Sequence, residues 1–153
     1  MYTIRPWLTI GKYAETRNLN LLHGRGISAM LQLAEAVPQP GIESLYLAVE
    51  DGEPLPIPLL EEGITFIREQ KSQDRHVMVA CGAGISRSVL FSMAALMAEE
   101  KLSLFDAYRD IVAIHPDALP HSALGLSLAQ YHHLDLDWRG YMEGLMKVRE
   151  DTP

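Results

Sequence analysis

The residues of this chain that could carry out chemistry are concentrated in one short stretch, CGAGISRS, at residues 81–88. Its first residue, Cys81, is the only cysteine of the chain, and a cysteine thiolate is a strong nucleophile. Glycines and small side chains lead from it to Arg87, whose planar guanidinium can bind two phosphate oxygens at once. These residue types favour a site that both binds an anion and attacks it.

Apolar segments on either side of this stretch indicate how it is positioned. HVMVA before it predicts a short buried strand, and VLFSMAALMA after it predicts a buried helix. A glycine-rich turn between a strand and a helix directs backbone N–H groups at one point, where the helix dipole adds positive charge. We expect this field to favour the thiolate form of Cys81. We call residues 82–86 the anion loop, and the predicted phosphate-binding residues are Gly82, Ala83, Gly84, Ile85, Ser86 and Arg87.

The rest of the chain predicts strands that alternate with helices, followed by a run of helices. The strands are predicted at residues 4–10, 27–34, 45–51 and 76–80. The helices are predicted at 14–26, 59–71, 89–98, 101–116 and 122–134, with a loosely held helix at 138–150. We expect this last segment to be an amphipathic tail that covers the protein's own core, although a surface for a partner is an alternative. This order predicts one α/β domain over residues 1–153, with a central, mostly parallel sheet flanked by helices.

Composition disfavours several classes of partner. The chain has 153 residues, enough for one core, and 20 acidic against 13 basic residues give a net charge of −7. That charge disfavours nucleic acids and anionic membranes as partners. A single cysteine forms no internal disulfide, and the amino-terminal residues lack the pattern of a signal peptide, so we expect a cytoplasmic protein. His132 and His133, with Asp135 and Asp137, could suggest a metal site, but adjacent histidines diverge on a helix, so we predict no metal there. We also predict no cofactor.

Residues 81–88 resemble the signature of a known enzyme family. They match the Cys-x-x-Gly-x-x-Arg-Ser pattern of the cysteine-dependent phosphatases, and the small residues inside the octet resemble the dual-specificity branch. The early WL and IG pairs, LYLAVED and HPDALP are similar to that branch in order and spacing. The resemblance covers most of the chain from Trp7 to Tyr131, and it implies a dual-specificity phosphatase-like catalytic domain.

This resemblance implies hydrolysis of phosphate monoesters in two steps. Cys81 would attack phosphorus to form a phosphocysteine, while Arg87 and the loop amides stabilise charge on the phosphate oxygens. Asp51, at the family's general-acid position, would protonate the leaving oxygen and later accept a proton from water. The Ser88 hydroxyl would help the thiolate leave.

Two positions depart from the family pattern. The family usually has histidine immediately before the cysteine, and this chain has Ala80, which predicts slower chemistry or a shifted pH optimum. Where the branch often has an asparagine that braces the phosphate loop, this chain has His121. We expect His121 or His115 to take over part of that bracing.

Each candidate residue also has a plainer interpretation. Cys81 could be an inert core thiol, and Ser88 could be a capping residue in the first turn of a helix. Asp51 precedes a glycine and could be an ordinary turn residue, with Glu50 and Glu53 as substitutes for the acid.

The predicted partners are phosphorylated proteins or small phosphate monoesters. No charged side chain lies between Cys81 and Arg87, which disfavours a polyphosphorylated lipid headgroup. The chain is too short for the segment that deepens the pocket of classical tyrosine phosphatases, so phosphotyrosine, phosphoserine and phosphothreonine are all candidates.

A phosphate-binding module without turnover is the alternative that Ala80 favours. A sulfur transferase or arsenate reductase is disfavoured by the loop length and the single cysteine.

Overall fold

A central sheet of five strands organises the computed structural model, which describes residues 1–153. The strands are β1 Tyr2–Arg5, β2 Leu8–Lys12, β3 Ala29–Gln32, β4 Glu43–Tyr46 and β5 Val77–Cys81. Their order across the sheet is β1-β2-β5-β3-β4, and every neighbouring pair is parallel except β1 with β2. The prediction of a mostly parallel sheet is therefore confirmed.

Helices cover both faces of this sheet. They are α1 Tyr13–Thr16, α2 Leu19–Gly24, α3 Ile57–Ser72, α4 Arg87–Glu100, α5 Leu104–Val112, α6 Ser122–Tyr131 and α7 Trp138–Asp151. Helices α1 and α2 lie on one side, and α3 and α4 pack on the other. None of the helices combines the length and the apolar character needed to cross a bilayer.

Strand β5 lies at the centre of the sheet, between β2 and β3, and all five of its residues are buried. Because side chains alternate along a strand, Val79 and Cys81 join the core beneath α3 and α4, whereas Met78 and Ala80 join the smaller core beneath α2. The side chain of Ala80 therefore lies on the opposite face of the sheet from the Cys81 sulfur.

Two predicted elements near the amino terminus are each two elements in the structure. The predicted strand at 4–10 is an antiparallel pair, β1 and β2, joined by a turn at Pro6 and Trp7, because proline has no N–H for a sheet. The predicted helix at 14–26 is α1 followed by α2. Asn18 separates them, since its side chain caps α2 by accepting a hydrogen bond from Leu21 N at 3.0 Å.

The predicted core strand at 45–51 is wrong in both place and burial. The strand present is β4, which ends at Tyr46, forms an edge of the sheet and is mostly exposed. Leu47 and Val49 are buried, so their apolar side chains produced the strand-like pattern. The backbone leaves the sheet after Leu47, whose N–H still donates to Gln32 O of β3 at 2.9 Å. Asp51 consequently follows an irregular segment, in which Leu47 and Val49 are buried but Ala48 and Glu50 are exposed, and not a strand.

Helix α5 is shorter than the predicted helix at 101–116. It begins after Ser103, whose hydroxyl accepts a hydrogen bond from Asp106 N at 3.2 Å, and it ends at Val112. The residues after Val112 form a turn, which frees His115 to leave the helical path.

The terminal helix α7 covers the core, as expected, but the prediction that it is loosely held is wrong. Its Tyr141, Leu145 and Val148 are buried, and the Tyr141 hydroxyl donates a hydrogen bond to Pro120 O at 2.9 Å. Burial raises the pKa of that hydroxyl, so it stays protonated and remains a donor at neutral pH. Gly125 of α6 makes this packing possible, because a Cβ there would overlap the Tyr141 ring.

We predict that Gly125→Ala lowers the free energy of unfolding by about 1–3 kcal/mol, because the added methyl group overpacks the contact with Tyr141. Urea denaturation followed by far-UV circular dichroism measures the change. Gly24→Ala is the matched control, since no atom lies within 4 Å of a Cβ at that helical position. Equal stability of the two variants would contradict the packing argument.

Candidate active site

The anion loop connects β5 to α4, and its conformation depends on glycine at position 84. Gly84 has a φ of +72°, which residues with side chains rarely adopt. A Cβ there would also lie 2.9 Å from Gly11 O. The backbone N–H groups of residues 82–86 donate no hydrogen bond within the protein. They are therefore available to an anion at the amino terminus of α4.

Cys81 lies at the base of this loop and is only 3% exposed. The Ser88 N–H donates to its sulfur at 3.4 Å, and Ser88 Oγ lies 3.1 Å from the same atom. Donors directed at sulfur stabilise a thiolate. The contact of Ser88 Oγ is with the sulfur and not with the helix backbone, which is the geometry that a role in thiolate departure requires.

Arg87 opens α4, and backbone carbonyls beyond the ends of β3 and β4 hold its guanidinium. Its Nη1 donates to Val49 O at 3.0 Å and to Leu33 O at 3.4 Å. Nη2 lies on the loop side, where it would be 3.3 Å from a Cβ on Gly82. A guanidinium has five N–H donors, so those of Nε and Nη2 remain free for phosphate oxygens. Fixing Nη1 in this way orients the remaining donors.

Asp51 lies above the anion loop in a turn. Ser86 Oγ donates to Asp51 Oδ1 at 2.6 Å, and the His121 N–H donates to Ser86 Oγ at 2.9 Å. Gly52, with a φ of +86°, completes the turn, so Asp51 is a turn residue and also reaches the loop. The substitutes Glu50 and Glu53 line a different small cavity.

The two histidines support the loop in different ways. His115 is 3% exposed, and its Nε2 lies 2.7 Å from Gly84 O; since a carbonyl only accepts, Nε2 carries the proton. Tyr2 stacks on the His115 ring at a centroid distance of 3.9 Å. The His121 imidazole instead caps α6 by accepting from Ala123 N at 3.0 Å. Only the backbone N–H of His121 reaches the loop residues.

Hydrogen bonds from α5 and α7 fix the segment that carries both histidines. The Tyr108 hydroxyl and Arg149 Nη1 both donate to Ala118 O, at 2.6 and 3.0 Å. Tyr141 holds Pro120 in the same way, as described above. The two helices thus set the position of the loop's supports.

A cavity of about 430 Å³ opens above Cys81. The structure brings Asp51, Cys81 and Arg87 to its walls, and Ser88 contacts the sulfur from the adjoining helical turn. Arg87 is the only lysine or arginine that lines it. Part of its lining was not predicted from the sequence and comes from Leu119, Pro120, Ser122, Trp138 and Met142.

The carbonyl groups that hold Arg87 and the approach of α7 to the cavity could not be predicted from the sequence. Val49 O and Leu33 O act through the backbone, so any residue type could supply them. Trp138 is distant along the chain and reaches the cavity only through the packing of α7. A tryptophan at the start of a predicted helix does not by itself indicate a functional site.

The chain is similar to known proteins of one family. The family described as dual specificity phosphatase, catalytic domain, matches residues 8–133. Dual specificity protein phosphatase 12 of Rattus norvegicus is 30% identical over 162 aligned positions, which cover 98% of this chain and 48% of that protein. Dual specificity protein phosphatase 7 of Homo sapiens is 36% identical over 111 positions, which cover 69% and 26%. The chain therefore spans about half or less of the length of these relatives.

Solved structures share the fold. The crystal structure of DUSP15 superposes with a TM-score of 0.78 at 26% identity, covering 99% of this chain and 94% of that one. Human DUSP28 superposes with a TM-score of 0.79 at 24% identity, covering 86% and 94%. With the family match over most of its length and an anion loop of the expected form, the chain belongs to the dual specificity phosphatase family.

Proposed function

We propose that this chain removes phosphate from phosphorylated proteins through a covalent phosphocysteine on Cys81. The observation that carries the proposal is the arrangement of nucleophile, phosphate ligand and acid around one cavity. The sulfur lies at its floor, the Arg87 guanidinium and free loop N–H groups lie beside it, and Asp51 lies above it. Membership of the family supports the same chemistry.

In the first step, the Cys81 thiolate attacks phosphorus, so that a P–S bond forms as the bond to the leaving oxygen breaks. The free N–H groups of residues 82–86 and the Arg87 donors bind the three other oxygens and stabilise their charge in the transition state. Asp51 gives its proton to the leaving oxygen. Ser86 holds that carboxyl group at 2.6 Å, which keeps the acid near the loop.

In the second step, water attacks phosphorus and the P–S bond breaks. Asp51, now a carboxylate, accepts the proton of the water. The electron pair returns to sulfur, where the Ser88 hydroxyl at 3.1 Å and the Ser88 N–H at 3.4 Å stabilise the departing thiolate. Free phosphate then leaves and regenerates the starting site.

The position of Ala80 bears on the alternative of a phosphate-binding module without turnover. The Ala80 side chain is buried with Met78 on the far face of the sheet, so its substitution for histidine removes no group in contact with the sulfur. The donors around Cys81 come from Ser88 and the loop instead. This arrangement favours turnover over binding alone.

The cavity suits a single phosphate group. Arg87 is its only lysine or arginine, so further phosphates would meet no second lysine or arginine there. Phosphorylated proteins are the substrates that we propose, and small phosphate monoesters are the alternative. Because the reaction needs a reduced thiol, we place it in the cytoplasm.

Hydrolysis of p-nitrophenyl phosphate in the presence of a chelator, followed by phosphate release from phosphopeptides, tests the proposal. We expect turnover of both substrates. Binding of phosphopeptide without phosphate release would establish the module without turnover. Turnover of small esters with none of the phosphopeptides would establish the monoesterase.

We predict that Asp51→Asn lowers kcat for p-nitrophenyl phosphate by about 100-fold, because asparagine has no acidic proton to give to the leaving oxygen. Steady-state rates measured from pH 5 to 8 check the loss. Glu50→Gln and Glu53→Gln are matched controls and should keep the wild-type profile, because neither side chain lines the cavity. A wild-type profile for Asp51→Asn would exclude it as the acid.

A further inference from the structure

Helix α7 begins at the mouth of the cavity, and its first residue presents a large aromatic surface there. Trp138 lines the same cavity as Cys81 and Arg87, yet 59% of its surface is exposed. An exposed indole beside an anion site is available to any apolar group attached to that anion. The Trp138 side chain takes no part in the two proposed chemical steps.

The backbone of Trp138 is fixed although its ring is exposed. Asp137 caps the helix by accepting from Gly140 N at 2.8 Å. One turn later, buried Tyr141 donates to Pro120 O, and Pro120 lines the same cavity. The start of α7 is therefore held against the cavity wall, so the indole has a defined place relative to the anion loop.

Other apolar side chains continue this surface around the mouth. Ile85 and Leu119 are 37% and 38% exposed, and both line the cavity together with Met142. The floor holds the guanidinium of Arg87. The cavity thus combines an anion site at its base with an apolar rim above it.

Phosphate esters differ in what they would offer this rim. Phosphoserine and phosphothreonine carry their phosphate next to a short aliphatic carbon, which has little surface to bury. Phosphotyrosine places a flat aromatic ring between the phosphate and the peptide. A ring that enters with its phosphate on the anion loop would meet the indole, and aromatic pairs gain stabilisation beyond simple burial.

From these observations we propose that Trp138 is a specificity-determining residue that forms an aromatic wall of the pocket and selects aryl phosphates, phosphotyrosine among them, over alkyl phosphates. This inference rests on the proposed phosphatase function. It assigns the selection to the terminal helix and not to the anion loop. The Trp138 indole takes no part in proton transfer or in phosphate binding.

Two phosphopeptides of identical flanking sequence, one with phosphotyrosine and one with phosphothreonine, test the selection. We expect Trp138→Ala to lower kcat/KM for the phosphotyrosine peptide by about 3- to 10-fold and to leave that for the phosphothreonine peptide unchanged. Trp138→Phe should restore most of the loss. Met146→Ala is the matched control, because Met146 is an exposed apolar residue of α7 outside the cavity. Equal losses for both peptides, or no loss for either, would overturn the inference.

A binding measurement keeps this test separate from the proposed function. In a Trp7→Phe variant, Trp138 is the only tryptophan, since the chain has two. Adding Cys81→Ser prevents turnover, and phenyl phosphate should then change the Trp138 fluorescence whereas inorganic phosphate should not. If the wild type released no phosphate from any substrate but this response remained, the proposed function would fail and the aromatic wall would stand. If phenyl phosphate and inorganic phosphate changed the Trp138 fluorescence equally, the proposal of an aromatic wall would be wrong.

Discussion

Cys81→Ser is expected to lower kcat for p-nitrophenyl phosphate by at least about 10⁴-fold while the protein still binds inorganic phosphate. A serine hydroxyl is a much weaker nucleophile than a thiolate, and Ser88, which hydrogen-bonds to position 81, offers a hydroxyl and an N–H but no base to activate it. The phosphate ligands are unaffected, since the loop N–H groups and Arg87 do not depend on the sulfur. Steady-state kinetics and calorimetric titration with phosphate measure the two properties.

The folded state of this variant must match the wild type for the result to be read as chemistry. Thiol and hydroxyl are similar in size, and unchanged thermal unfolding would establish that the core around β5 is intact. A Cys81→Ser protein with a rate within tenfold of the wild type would contradict a nucleophilic role. Loss of phosphate binding together with the rate would mean that the sulfur holds the loop in shape.

Arg87→Lys is expected to lower kcat/KM by about 10³-fold and, unlike Cys81→Ser, to weaken the binding of inorganic phosphate. Arg87 makes two kinds of contact in this account. Its Nη1 donates to Val49 O and Leu33 O, which fixes the guanidinium, and its Nη2 lies on the loop side, where it can bind phosphate. A single ammonium group cannot make those carbonyl contacts and also bind two phosphate oxygens in a fork. Kinetics and phosphate titration, run as for Cys81→Ser, separate the two variants.

Arg68→Lys provides the matched control for this substitution. Arg68 is an exposed arginine of α3 that pairs with Glu99 at 2.7 Å, far from the cavity lining. The Arg68→Lys variant should keep wild-type kinetics, because exposed ion pairs contribute little to stability and a lysine can also pair with Glu99. An Arg87→Lys variant that binds phosphate as tightly as this control would show that the guanidinium is not the phosphate ligand.

The centre of the fold was predictable because its signals are local. The wholly apolar β5, the glycines at 82 and 84 and the long apolar α4 each have one physical explanation, a buried strand, a tight loop and a buried helix. The closeness of Cys81 to Ser88 follows from those elements, since the loop returns the chain to the first turn of the helix over the strand end.

The position of Asp51 was only partly predictable. Leu47 and Val49 alternate like strand residues and are buried like them. The Leu47 N–H still donates to Gln32 O of β3, but Val49 O binds Arg87 and not a neighbouring strand. A hydrophobic pattern indicates which side chains are buried, but it does not indicate which group hydrogen-bonds to each backbone carbonyl. The contact between Asp51 and Ser86 joins residues that are far apart in the chain, so only the folded structure reveals it.

The contribution of α7 could not be predicted from its own sequence. Its sequence alone does not show which residues its apolar side chains pack against. Its attachment depends on residues elsewhere: Gly125 leaves room for Tyr141, and Gly144 of α7 leaves room for Phe105. Such fits between distant small and large side chains leave no periodic signal, and they are what brings Trp138 to the cavity.

Detection of the phosphocysteine itself is the most direct test of the proposed chemistry. Ser88→Ala should slow thiolate departure, so acid quenching of that variant during turnover of p-nitrophenyl phosphate should trap the intermediate. Mass spectrometry of the digested protein should then find one phosphoryl group on the peptide that contains Cys81, and none on that peptide from Cys81→Ser. Turnover without any modification of Cys81, or with the phosphoryl group on another residue, would contradict the mechanism.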